Sequence, residues 1–175
     1  MKFLIFFLFL ALLFLLISRN CFSQNKGGFA SASGQFFINK KFENRFGLNF
    51  SGGIGTSNKS SLGVSIDAYI FGNREKFIIP HLDARIFPQG LEKPNGVFIS
   101  IQPGWVVYNK SVRVGSSNIT TKGDVAFDIL GGIYIETAKK LPSIVVSGGF
   151  TFMAFRINGK VNSYPGGKIQ FGIKF

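Results

Sequence analysis

A single cysteine, Cys21, stands in the whole chain, which excludes an internal disulfide and any centre built from several thiolates. The one histidine, His81, cannot supply a set of imidazoles for a transition metal, so no metal or cofactor is expected. Neither GxSxG nor GxxxxGK[ST] occurs, and the glycine pairs at 52–53, 131–132 and 148–149 lead into no helical pattern, so a phosphate loop is not expected. After Ile17 no apolar run reaches the roughly 18 residues that a membrane-crossing helix needs. Acidic residues are also few, 8 against 20 basic ones. Such a balance favours anionic partners, either nucleic acid or phosphate-bearing lipid.

The chain opens on Lys2 and an unbroken apolar run of 15 residues, Phe3 to Ile17. That length suits the apolar region of a signal peptide and falls short of an anchor. Cys21 and Ser23 place small side chains at the third and first positions before a cut at Gln24. Residues 1–23 are therefore expected to be a cleaved signal peptide and 24–175 one domain. The alternatives are an uncleaved anchor and a lipoprotein acylated on Cys21. The anchor would need a longer run, and acylation prefers small residues where Arg19 and Asn20 stand. Losing Lys2 and Arg19 leaves 18 basic against 8 acidic side chains, a net charge of +10. In a secreted chain, lipid headgroups are a better match for that charge than nucleic acid.

From Gln24 onward the texture is alternation at period 2, broken by Gly, Asn, Lys, Ser and Pro clusters. Leu62, Val64, Ile66, Ala68 and Ile70 share one face of a strand, and Gly63, Ser65, Asp67 and Tyr69 the other. Val97, Ile99, Ile101, Trp105 and Val107 repeat the split against Ser100, Gln102 and Gly104. The pattern predicts eight strands, near 28–38, 44–55, 60–72, 76–87, 95–108, 123–136, 143–157 and 166–175. Most reach the roughly 9–11 residues that a tilted strand needs to cross a bilayer. An even number lets the first and last strands pair and remove both open edges. With the N-terminus periplasmic, segments 39–43, 73–75, 109–122 and 158–165 become external loops, 109–122 being the long one. Turns 56–59, 88–94 and 137–142 then face the periplasm.

Soluble ligand carriers of the lipocalin kind also alternate, with the apolar face inward and a charged face in water. Here the polar face is mostly Gly, Ser, Gln and Asn with a few acids, which suits a crowded interior, and the apolar face is nearly free of charge, which suits lipid. Pro80 and Pro103 fall in the apolar phase and predict bulges or strand ends, since each removes a ladder donor. Interfacial belts use Trp and Tyr, of which the chain has one and four, so phenylalanine must share that work.

At the C-terminus Ile169, Phe171, Ile173 and Phe175 form an alternating apolar stripe ending on an aromatic residue. This resembles the signal that barrel-assembly machinery reads on bacterial outer-membrane barrels. Together with the start at Gln24, Pro103-Gly104-Trp105 and Gly131-Gly132-Ile133-Tyr134, the chain resembles small outer-membrane barrels of Bacteroidota, often labelled porin-family. The resemblance implies an all-β, eight-stranded antiparallel up-and-down transmembrane β-barrel in the cell outer membrane. It implies no assigned activity.

His81, Asp83 and Arg85 alternate along one strand and face the phase of Asp67, Asp128, Glu136, Lys168 and Gln170. His81 oriented by Asp67 or Asp83 is a conceivable general base, but no nucleophile accompanies it. Paired charges filling a barrel explain the cluster better. The expectation is a structural or surface-interaction protein and not an enzyme, with outer-membrane lipid and lipopolysaccharide as partners, reached in part through Lys110, Arg113 and Lys122. A narrow channel and a soluble periplasmic carrier of an apolar ligand are the alternatives.

Overall fold

A computed structural model describes residues 27–39, 44–69, 76–91, 93–137 and 141–175. The expected signal peptide 1–23 lies outside these, as do most of the 39–43 and all of the 73–75 connections. Among the described residues the strands are β1 (Gly28–Ile38), β2 (Arg45–Ser57), β3 (Ser60–Tyr69), β4 (Phe77–Ile86), β5 (Asn95–Trp105), β6 (Asn109–Val114), β7 (Ser117–Ile135), β8 (Ser143–Ile157) and β9 (Lys160–Lys174). β5 and β6 are two lengths of one interrupted strand, both laid against β7. β1 pairs with β9 in the register Gln35↔Gln170 and Phe36↔Ile169, closing the ring. The result is an eight-stranded antiparallel up-and-down barrel.

Alternation sets what each side of the wall carries. Leu62, Val64, Leu82, Ile86, Ile99, Ile101, Ile129, Ile133, Phe50 and Phe171 all stand on the outer surface. Asn49, Ser65, Asp67, His81, Asp83, Ser100, Gln102, Asp128 and Lys168 are buried inside. This is the reverse of a soluble ligand-carrying barrel.

Two expected loops are strands instead. Segment 109–122 is a β-hairpin, β6 against the start of β7, turning at Gly115 with φ 61°. Segment 158–165 is a two-residue turn followed by the start of β9, with Asn158 at φ 48° and Gly159 at φ 82°. Positive φ at both central residues matches the twist of the flanking strands, which is why Asn-Gly closes hairpins so readily. The two hairpins are clipped together: Asn158 N donates to Thr120 O at 2.9 Å, and Thr120 N donates to Asn158 Oδ1 at 2.9 Å. β6 to β9 thus rise as one sheet beyond the barrel wall, at what we call the hairpin end. The opposite end, where β1 begins and β9 finishes, is the terminal end.

Pro80 and Pro103 also depart from expectation, since neither ends a strand. They lie inside the neighbouring strands β4 and β5. The ladder between these strands is recorded at His81↔Gly104 and then only at Ala84↔Ile101, Arg85↔Ser100 and Ile86↔Ile99, beside a lone bridge Ile78↔Val107. A proline cannot donate to a ladder, so this seam is thin, whereas β8 and β9 pair without a break from Ser143↔Lys174 to Ile157↔Lys160. Hydrogen exchange should find the β4 and β5 amides between Leu82 and Gly104 exchanging about tenfold faster than the central β8 and β9 amides. Uniform protection around the ring would contradict the thin seam.

Candidate functional site: a sealed ionic core

Strand β4 alone reads through the interior from one end to the other. Its inward residues are Phe77 and Ile79, then His81, then Asp83 and Arg85, with Phe87 just past its end. Phe77 and Ile79 join Phe37, Tyr69, Val106, Met153 and Phe155 in an apolar plug at the hairpin end, with Tyr108 and Tyr164 packed on it. Phe87 joins Leu91, Phe98, Tyr134 and Val145 in a second plug at the terminal end. Tyr134 Oη donates to Gly90 O at 3.1 Å, tying that plug to the turn between β4 and β5. The tyrosines expected to help form interfacial belts therefore point inward; the outward aromatics are Trp105 and phenylalanines such as Phe46, Phe50 and Phe171.

Between the plugs lie two charged layers. In the first, Lys168 Nζ donates to Oδ2 of both Asp67 and Asp128. Asn49 Nδ2 donates to Asp67 Oδ1 at 2.7 Å, and Thr151 Oγ1 donates to Asp128. The His81 ring has Asp67 Oδ2 3.2 Å from Nε2 and Gln102 O 3.1 Å from Nδ1. A carbonyl and a carboxylate can only accept, so both ring nitrogens must donate, as in the imidazolium form. Two carboxylates, an ammonium and an imidazolium then sum to zero. The Gln102 carbonyl, lying beside the thin stretch of the β4–β5 ladder, is satisfied by this side chain.

The second layer holds Asp83, which accepts from Arg85 Nη2 at 2.6 Å and from Ser100 Oγ at 2.8 Å. Arg85 also donates to Ser51 Oγ at 2.6 Å and lies over the Phe29 ring, 4.0 Å from its centroid. That ring fits because Gly53 stands beneath it: a Cβ there would come within 2.8 Å of Phe29 Cε1. Of the residues that sequence reasoning grouped, Asp67, His81, Asp128 and Lys168 come together. Asp83 and Arg85 form their own pair, so Asp83 does not orient His81. Gln170 bonds to Gln35 and Ser147, and Glu136 lies past the end of β7, away from the cluster. Asn49, Thr151 and Ser51 went unnoticed because nothing marks an inward hydroxyl or amide as a partner until register is known.

Asp67, His81 and Asp128 present ligand atoms within 4.8 Å of one another, a geometry suited to a cation. Lys168 already is that cation, held by the chain itself. As chemistry, the His81–Asp67 pair resembles an acid–base couple, yet both residues are buried and apolar plugs cover the layer on either side.

The fold has known counterparts. Over 87% of this chain and 98% of that one, the structure matches the N-terminal β-barrel domain of Pseudomonas aeruginosa OprF, with a TM-score of 0.54 at 13% identity. Neisserial surface protein A (NspA) matches over 86% of this chain and 98% of its own, with a TM-score of 0.50 at 12% identity. At these identities the likeness defines a fold, the eight-stranded β-barrel. No family model matches the sequence, and no curated protein does, so the porin-family likeness rests on the sequence pattern alone.

Removing the ammonium would leave two buried carboxylates facing one imidazolium. Lys168→Met is expected to cost about 3–5 kcal/mol of stability in urea unfolding of the folded barrel. Adding Asp128→Asn should recover part of that loss. Arg156→Gln, which breaks a half-exposed pair with Asp124, should cost less than about 1 kcal/mol. Similar losses for Lys168→Met and Arg156→Gln would show that the buried layer is not a coupled charge network.

Proposed function

We propose that this chain is an outer-membrane β-barrel protein with a structural and surface-interaction role and no catalytic activity. The observation that carries the reading is the inside-out distribution of side chains: an apolar outer wall around a neutralised ionic interior. Outward apolar residues on β7 run from Val125 to Ile135. At ~3.3 Å per residue and a tilt near 40° that is a band ~25 Å tall, the height of the apolar belt on membrane barrels. A polypeptide in hydrocarbon must satisfy its backbone internally, and a closed ring does so. The likeness to a β-barrel named as a surface protein is consistent with this role.

The two plugs argue against conduction. Eight strands leave room for interior side chains and little else, and here the space holds rings at both ends and ion pairs between. The sequence resemblance to porin-family barrels thus concerns architecture and not flow. Phe175, exposed at the barrel's end with its backbone N donating to Ala30 O at 2.8 Å, is the residue we assign to recognition by the assembly machinery.

Gel migration of the outer-membrane fraction with and without boiling tests the membrane assignment. The unboiled protein is expected to run as a folded species distinct from the boiled one; recovery in the soluble periplasm would overturn it. Planar-bilayer recordings of the reconstituted barrel are expected to be flat, and resolved conductance steps would overturn the sealed interior.

A further inference from the structure

We infer that the outward face at the base of the hairpin-end sheet, formed by Lys122 and Arg156 with Arg113 above them, is a docking surface for the phosphate headgroup of a phosphorylated membrane glycolipid. This rests on the membrane reading above and deepens it.

Pairing separates the basic residues of the extension by face, because residues directly opposite one another point the same way. One row runs Asn109↔Lys122↔Arg156↔Val161 across β6 to β9, and the next runs Lys110↔Thr121↔Ile157↔Lys160. Phe155, one residue before Arg156, points into the hairpin-end plug. Arg156 therefore continues the outer wall, and Lys122 with it. Arg113, opposite Asn118 and four residues from Asn109 on β6, shares that face. Lys110 and Lys160 sit on the opposite face, above the barrel mouth. Sequence reasoning grouped Lys110 with Arg113 and Lys122; the register replaces Lys110 with Arg156.

The position of this face selects the ligand. Trp105, the only tryptophan, pairs with Val125 and is 49% exposed on the outer wall. Indole prefers the boundary between hydrocarbon and headgroups, so this pair marks the rim of the band. Lys122 lies three residues further along β7, ~10 Å by strand rise, at headgroup depth, and the register shift between Gly123 and Ala126 keeps it on the outward face of Val125. Directly below on the same face are Val125, Ile129 and Phe150, a lane for acyl chains. A phosphate tethered to such chains is delivered to Lys122 and Arg156 without leaving its leaflet, whereas a soluble anion gains nothing from the lane. Arg156 Nη2 is held by Asp124 Oδ2 at 3.0 Å, and Asp124 Oδ1 also accepts from Val125 N at 3.0 Å. The acid offsets one charge and fixes the guanidinium, whose planar donors suit phosphate oxygens.

The test is native mass spectrometry of the full-length folded barrel in neutral detergent, titrated with bisphosphorylated lipid A. A double variant, Lys122→Ala with Arg156→Ala, is compared with Lys110→Ala with Lys160→Ala, which removes equal charge from the other face. Each headgroup-depth cation contributes about fivefold, so the outward pair should weaken lipid retention by about thirtyfold and the inward pair by less than about threefold. Equal losses, or none, would overturn the docking face. Displacement of the lipid by millimolar inorganic phosphate would overturn the choice of a membrane lipid. Heat-shifted migration of each protein is scored first: a wild-type barrel that does not fold in detergent or bilayer defeats the membrane reading itself, and a variant that does not fold is replaced by its Gln counterpart.

Discussion

The charge balance of the enclosed interior is the constraint on which the rest of this barrel depends. An eight-stranded ring has an inside too narrow for bulk water and too polar, in this sequence, to be filled with hydrocarbon. The ions at mid-depth meet their opposites, Lys168 and His81 with Asp67 and Asp128 and Arg85 with Asp83, while Lys174 near the terminal end lies over the Tyr134 ring. Lys168 joins β3 to β7 through Asp67 and Asp128, reaching them from β9, and His81 adds β4 to the same knot. Four strands drawn from both halves of the chain are thereby held in one register. A slip of one residue in any of them would send a charge into the outer wall, where nothing could pair with it. The ionic layer thus acts as a registration device, and the aromatic plugs keep water from weakening it.

Enclosing the polar set is what allows the outside to be uniformly apolar. Alternation forces the choice: each inward Asp, Asn or Ser obliges its neighbours to face outward, and most of those neighbours are Ile, Val, Leu and Phe, with Ala or Gly beside Asp67, Asp83 and Ser51. Small residues serve the inside more than the outside. Gly53 leaves space for the Phe29 ring under Arg85, and Gly132 for Phe98, whose Cζ a Cβ would meet at 2.4 Å. The same economy explains why the tyrosines turn inward. Their rings complete the plugs, and the outer rim is left to Trp105 and phenylalanine.

Period-2 alternation made the eight wall strands legible, and their even number made closure legible. The polar phase also exposed Asp67, His81, Asp128 and Lys168 as sharing a side. What remained hidden was register, which composition does not carry: that Asp83 would turn to Arg85 and away from His81 depends on a spacing of two along β4 and on Ser51 arriving from β2. The hairpin extension was hidden differently. Ser, Thr, Asn and Gly in 109–122 read as loop by composition, although Val112 and Val114 alternate with polar neighbours and Gly115 supplies a turn. Asn158-Gly159 was the more direct signal, since that dipeptide closes two-residue hairpins by its backbone preference alone. Pro80 and Pro103 misled because a proline was assumed to break its own strand. A closed ring tolerates one thin seam when the remaining seams are continuous and a side chain, here His81, satisfies a carbonyl beside it.

These features divide the barrel into two parts with different tolerances. Within the wall, inward polar residues answer to one another across several strands, so single changes there carry the cost of an uncompensated ion or a lost register. Beyond the rim, the sheet of β6 to β9 is held by its own ladder and by the Asn158–Thr120 clip, and its side chains are mostly exposed. It can therefore vary without disturbing the wall below. A molecule built this way places its stability in a sealed, neutral core and leaves a stiff, basic platform just outside the apolar band, where contact with anionic partners costs the fold little.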